Sequence, residues 1–139
     1  MAETVTLRGN PEIGEIVEGE AIVSNEVFSA RYEYDRYRGV ISGETHELFG
    51  QSIVGKVAVF RTAKGGVATS WMMLDVVERG NCPVGFIFAR TNPVMVQGAA
   101  LANVALMHSL APDPLASIRS GDYAKMDPKA GIVEVTRRG

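Results

Sequence analysis

The chain has 139 residues, 46% of them hydrophobic and 22% charged, with a formal net charge of −2. That suffices for one domain with a proper core, but it lacks the basic face of a non-specific nucleic-acid binder and the apolar run of about 18 residues that a spanning helix needs. Cys82 is the single cysteine and only His46 and His108 stand beside it, which precludes an internal disulfide, a self-supplied set of cluster thiolates and, by expectation, a zinc site.

The opening MAETVTLRGN carries no charged-then-apolar secretion pattern, so the cytoplasm is the expected compartment. Thr4 to Leu7 and Glu15 to Ser24 read as strands, with Ile16, Val17, Ala21, Ile22 and Val23 at the apolar positions and Gly14 and Gly19 as breaks or bulges. Phe28 to Ile41 alternates Tyr32, Tyr34 and Tyr37 with charges. A strand with a mixed face or a surface loop fits it, and its aromatics beside arginines suit a protein interface, self-association included, and a solvated edge equally. Ser42 to Ser52 reads as a polar loop, in which His46 beside Glu44 and Glu47 is expected to be a solvent-exposed bystander.

The stretch from Gly55 to Gly80 reads as strand, glycine loop and helix. Lys56 to Phe60 is a short apolar run of strand formers, fit for a buried strand. Arg61 to Gly66 carries two bases and two adjacent glycines, which lets the backbone turn and approach a ligand. From Val67 the helix is apolar around most of its circumference, ending at Arg79 and Gly80. Free N–H groups at the helix start suit a carboxylate or phosphate, with Lys64 and Arg61 adding charge. The alternative is an ordinary strand–loop–helix unit that binds nothing. The order of lysine and glycines excludes a Walker loop.

Farther on, Val84 to Ala89 predicts a second core strand, Val94 to Leu101 a short helix, and Val104 to Met107 a third strand with His108 at its end. Asp113 caps a one- or two-turn helix with Pro114 in its first position. Gly121 to Met126 and Ile132 to Thr136 close the chain as a hairpin. Cys82, just after the long helix, is expected to be a half-buried side chain rather than a reactive thiol. The sum is one β-rich α/β domain spanning residues 1–139, its short helices packed around a partly parallel sheet or partial barrel. Ligands in such sheets bind beyond the carboxyl ends of the strands.

Several motifs recur in a particular order: Gly19-Glu20-Ala21-Ile22-Val23, Ser29, Gly50-Gln51-Ser52-Ile53, Gly55-Lys56-Val57 and Lys64-Gly65. Ser70-Trp71, Arg79-Gly80-Asn81 with Pro83, Asn92-Pro93, Gly98-Ala99, Gly121-Asp122 and Gly131 to Val135 follow. Together they resemble the small swivelling domain of the aconitase X family over nearly the whole chain. The resemblance implies a swivelling β/β/α fold and a role as the small subunit of a hydro-lyase. In that family a large subunit, fused or separate, binds the iron–sulphur cluster, and members dehydrate small hydroxy acids such as phosphomevalonate or cis-3-hydroxyproline. It implies no cofactor in this chain itself.

The family's loop Gly-Lys-Gly-Ser ends in the proposed proton-accepting serine. Here Ala63-Lys64-Gly65-Gly66 stands in its place, so that serine falls on Gly66. The family's Gly-Gly-Val-Asp-Pro is Tyr32-Glu33-Tyr34-Asp35-Arg36, which keeps only Asp35. The resemblance therefore implies Lys64, Gly65, Gly66 and Asp35 for substrate binding, with Ser70 or Thr69 as the nearest hydroxyls for proton transfer. Hydroxyls in a first helical turn also bond simply to backbone. A diverged isomerase-type subunit and a non-catalytic binding module are the alternatives that Gly66 leaves open.

Overall fold

The computed structural model describes residues 3–12, 14–29, 34–63, 68–90 and 93–137, the side chains of 68–71 and 93–95 excepted. Four strands pair in parallel at its centre: β2 (Val17–Val23), β6 (Val57–Phe60), β8 (Gly85–Phe88) and β9 (Ala105–His108). Each crossover from β6 to β8 and from β8 to β9 runs through a helix, α1 (Ala68–Glu78) and α2 (Pro93–Leu101) respectively. On the other side of β2 the sheet turns antiparallel, through β10 (Tyr123–Asp127), β11 (Ile132–Thr136) and β1 (Thr4–Arg8). The full order is β1-β11-β10-β2-β6-β8-β9.

The two outer strands of this sheet approach each other. Arg8 and Ala111, three residues past β9, exchange both backbone hydrogen bonds at 2.8 Å. The sheet is thereby curled into a partial barrel with its own interior.

Alternation along the strands explains why there are two cores. Leu7, Ala21, Val57, Val59, Ile87, Met107, Ala124, Met126, Val133 and Val135 point into the barrel and fill one apolar cluster. Ala58, Phe60, Phe86, Phe88 and Leu106 point the other way, under the helices, and pack with Met73, Val76 and Ala99 in a second. Every residue of β6 and β8 is therefore buried, as expected of parallel strands covered on both faces. In β10 and β11 the outward residues Lys125 and Glu134 are exposed, because no helix covers that half. The outer cluster is aromatic at its centre: Phe28 lies 5.1 Å from both Phe60 and Phe86, and Phe86 stacks on Phe88 at 5.4 Å. Burying one such ring is worth about 1.5–3 kcal/mol.

Local signals act as expected at the element ends. The long helix stops at Glu78, one residue short of the expected Arg79, and Gly80 adopts φ +72°. Gly80 and Asn81 then donate to the carbonyls of Val77 and Val76, the left-handed ending that glycine makes cheap. Asn103, at φ +58°, closes α2 in the same way. The short helix α3 (Pro114–Ser117) starts with Pro114 and is capped by Asp113, whose Oδ1 accepts the Leu115 N–H at 3.0 Å. No helix among the described residues is long and apolar enough to cross a membrane.

The tyrosine-rich segment keeps a mixed face, but in two-residue strands only. Residues 30–33 lie outside the description. Beyond them, β4 (Tyr34–Asp35) and β5 (Val40–Ile41) form a small antiparallel hairpin folded onto the end of α1. Tyr34 turns inward, and its hydroxyl donates to the Asn81 carbonyl at 2.6 Å. Tyr37 stays 67% exposed beneath the Arg79 guanidinium, 4.0 Å from its ring centroid. Asn81 donates its side-chain amide to the carbonyls of Arg36 and Tyr37, and Arg36 pairs with Asp75 at 2.8 Å. Removing this staple with Asn81→Ala should lower stability by about 1–3 kcal/mol, the worth of two partly buried hydrogen bonds. Urea unfolding checks this, and a variant as stable as the parent would show that the hairpin is held by Tyr34 and the Arg36–Asp75 pair alone.

Candidate functional site

The carboxyl ends of the central parallel strands lie along one edge. There β2 delivers Ser24 and Asn25, β6 delivers Arg61, and β8 delivers Ala89 and Arg90. A cleft of about 720 Å³ opens at this edge, lined by Asn25, Arg61, Thr62, Ala89 and Arg90 on one side and by Asp113 and Leu115 on the other. A smaller hollow of about 240 Å³ shares Asn25 and Arg61 with it and reaches Glu26, Val27 and His46.

Short local ladders hold this edge in place. After Arg61, β7 (Thr62–Ala63) pairs in parallel with β3 (Val27–Phe28). The turn after β2 is tied to the loop before β6. Ser24 donates its hydroxyl to the Glu47 carboxylate, which also accepts the Asn25 N–H at 2.8 Å. Glu26 in return accepts the Glu47 N–H.

His46 belongs to this clasp, and its expected exposure is corrected: only 5% of it is accessible. Its Nδ1 accepts the Leu48 N–H at 3.1 Å, so the proton on Nε2 is donated to the Val27 carbonyl, 3.2 Å away. The ring also meets Phe60 edge-on, with centroids 6.0 Å apart. The loop is polar in sequence, yet Leu48 and Ile53 anchor it in the outer core and draw the histidine in with them.

Thr69 and Ser70 occupy the first turn of α1, which starts at this same edge, and their side chains lie outside the description. Lys64, Gly65 and Gly66 join Ala63 to that turn and lie outside the described residues. Asp35 is placed elsewhere. Its Oδ1 accepts the N–H groups of Tyr37 at 3.0 Å and Arg38 at 3.2 Å, closing the hairpin turn. That hairpin docks near Asp75 and Asn81, on the order of 10–15 Å along the helix from its first turn at 1.5 Å per residue.

A second polar group sits at the end of β9. His108 Nε2 is 3.0 Å from Glu12 and its Nδ1 is 3.0 Å from the Ser109 hydroxyl. This chain of contacts ties the amino-terminal segment to the outermost parallel strand.

Among the described residues no three or more His, Cys, Asp or Glu side chains are grouped to hold a metal ion. Cys82 is remote from the cleft, half-buried, and donates its thiol to the Pro83 carbonyl. The described residues therefore do not fit an iron–sulphur cluster as its ligands.

Comparison with known proteins agrees with this architecture. The aconitase X swivel domain family matches residues 6–135. The chain belongs to this family. The phosphomevalonate dehydratase small subunit of Methanosarcina acetivorans is 30% identical over 133 residues, covering 96% of this chain and 92% of the relative. That of Methanopyrus kandleri is 30% identical over 124 residues, with 89% and 91% covered. Among solved structures, aconitase X of Thermococcus kodakaraensis superposes with a TM-score of 0.87 at 24% identity, covering 94% of this chain and 98% of the other. A UPF0107 protein solved by solution NMR superposes at 0.83 with 26% identity and the same coverage.

Several of the motifs that carry the resemblance have structural work in this chain. Arg79-Gly80-Asn81 ends α1 and staples the hairpin. Gly121 donates to the Ala21 carbonyl, while buried Asp122 pairs with Arg137 at 2.6 Å and joins β2 to the closing hairpin. Arg90, Asn25 and the clasp around His46 were not singled out by the sequence patterns. Arg90 had a usable signal: it follows a strand-forming run much as Arg61 does.

Two ionisable groups at the hairpin junction are shifted by burial. The Cys82 thiol is pushed up to about 11, and the Tyr34 phenol is raised above its usual value by burial, then by Cys82 and Asp35. A folded thiol that holds its proton more tightly than the unfolded one makes stability fall as pH rises from about 9 to about 11. Thermal midpoints across that window should drop less in Cys82→Ala than in the parent; identical slopes would refute the assignment. His46→Ala should cost roughly 2–4 kcal/mol, from a cavity beside Phe60 and two unpaired backbone groups. Urea unfolding reads it, and a loss below about 1 kcal/mol would return His46 to the role of a bystander.

Proposed function

We propose that this chain is the small subunit of an aconitase X-type dehydratase that acts on a small hydroxy-carboxylate, free or phosphorylated, together with a separate large subunit. One observation carries the reading. The likeness to proteins named phosphomevalonate dehydratase small subunit runs through 96% of this chain and 92% of the relative, so the similarity is to a whole subunit and not to a fragment of one. The cleft beyond the carboxyl ends of the parallel strands supports it, since this is where open sheets of this kind bind ligands.

Removing water from a hydroxy acid requires acid assistance at the departing hydroxyl and a base for the proton on the neighbouring carbon. In this proposal the large subunit supplies the iron–sulphur centre. The small subunit closes over the substrate, excludes water and fixes its anionic group against the loop Lys64-Gly65-Gly66 at the start of α1. Ser70 or Thr69 moves the proton. Asp35 enters as a substrate contact only if the hairpin approaches the cleft on closure. Gly66 at the family's serine position favours a second reading, an isomerase-type subunit with the same partner. Loss or uptake of water during turnover separates the two.

The test is anaerobic co-purification with co-expressed large subunit, followed by assay of water loss. A coloured complex that dehydrates a hydroxy acid supports the proposal, and a colourless chain that binds no larger partner overturns it. In the active complex Lys64→Ala should raise KM at least tenfold with the fold intact, read by steady-state kinetics and circular dichroism. An unchanged KM removes Lys64 from the site. Gly66→Ser should fold normally and raise kcat if the missing hydroxyl limits the reaction; an unchanged kcat assigns proton transfer to another group.

A further inference from the structure

We propose that Arg61 and Arg90 together form a subsite for one carboxylate or phosphate group within the cleft. β6 and β8 are adjacent and parallel, with Phe60 opposite Phe88. Just past the strands the two segments bend but stay joined: Ala89 donates to the Phe60 carbonyl at 3.1 Å and Arg90 to the Arg61 carbonyl at 3.0 Å. The two arginines thus leave neighbouring backbones one residue out of register, Arg61 lying opposite Ala89. Both are exposed and both line the same cleft.

Their surroundings leave these charges unmatched. Arg36, Arg38, Arg79 and Arg137 each sit against a carboxylate. Arg61 and Arg90 have no such partner among the described residues. Asp113 lines the far wall, but its carboxylate caps α3. Glu26, in the adjoining hollow, accepts the Glu47 N–H.

Two guanidiniums that line one cleft without an ion-pair partner among the described residues repel each other. A bound anion relieves that repulsion and takes paired, forked hydrogen bonds from them. The chain as a whole is acidic, at −2, so the basic pair is a local feature rather than part of a general positive surface. In the dehydratase reading this subsite fixes one end of the substrate while the loop at α1 holds the other, which makes Arg61 and Arg90 determinants of which acids are accepted. The kinetic consequence rests on that reading; the binding itself does not.

The experiment is a titration of the full 15N-labelled chain with inorganic phosphate, with acetate and, at matched ionic strength, with chloride, following the arginine Nε–Hε and backbone signals. Phosphate or acetate should produce saturable shifts at Arg61, Arg90, Thr62 and Ala89 that chloride does not reproduce. Arg61→Gln and Arg90→Gln, with dispersed spectra showing that they are folded, should weaken the response at least tenfold, and Lys129→Gln should leave it unchanged. Tighter binding of phosphate than acetate assigns the subsite to a phosphoryl group; the reverse assigns it to a carboxylate. A response absent, matched by chloride, or equal in the double variant overturns the subsite. A flat titration together with lost large-subunit association in that double variant also overturns it, and assigns the arginines to the subunit contact. An assembled enzyme without dehydratase activity, but with the phosphate or acetate response intact, would sink the functional reading and leave the subsite standing.

Discussion

The structure depends on β6 and β8 being covered on both faces. Their side chains alternate between the barrel interior and the layer beneath the helices, and every position is apolar or glycine. Strands of this kind cannot leave either face to water, so one side must curl around an interior and the other must carry helices. The Arg8–Ala111 bridge and the placement of α1 and α2 are the two answers to that one demand. The phenylalanine cluster of Phe28, Phe60, Phe86 and Phe88 is where the helical side is densest.

That constraint also locates the chemistry. Parallel strands all end at the same edge, so the residues immediately beyond them are brought together however far apart they lie in the chain. Asn25, Arg61 and Arg90 meet there for this reason, as does the start of the helix that follows the glycine loop. Ser24, Glu26 and Glu47 stiffen one wall with hydrogen bonds among themselves, and His46 adds bonds to Leu48 and Val27. A buried, doubly hydrogen-bonded ring such as His46 holds a shape rather than offers a reactive site, which is why it is a brace and the exposed arginines beside it are not.

The opposite end of α1 does different work. Asp75, Arg79, Gly80 and Asn81 collect the tyrosine hairpin and hold Asp35 in a turn. Motifs by which the sequence resembles the aconitase X swivel domain fall at both ends of this helix, so the resemblance alone does not say which residues keep the fold. At the far end of the helix the motif residues close hydrogen bonds within the chain.

Periodicity carried much of the fold. The apolar runs at Val57 to Phe60 and Gly85 to Phe88, the Asp113–Pro114 helix start and the closing hairpin are local patterns, set by side-chain spacing and turn residues, and all were readable in the chain itself. The short strands within Phe28 to Ile41 were not, because two-residue pairings carry no period. Nor was the burial of His46, which follows from Leu48 and Ile53 reaching a core built by distant strands. The pairing of Arg61 with Arg90 was hidden for the same reason: residues 29 apart in sequence became neighbours only when β6 and β8 aligned. Local propensity chose the elements, and long-range register, which no short window of residues encodes, chose which charges face one another.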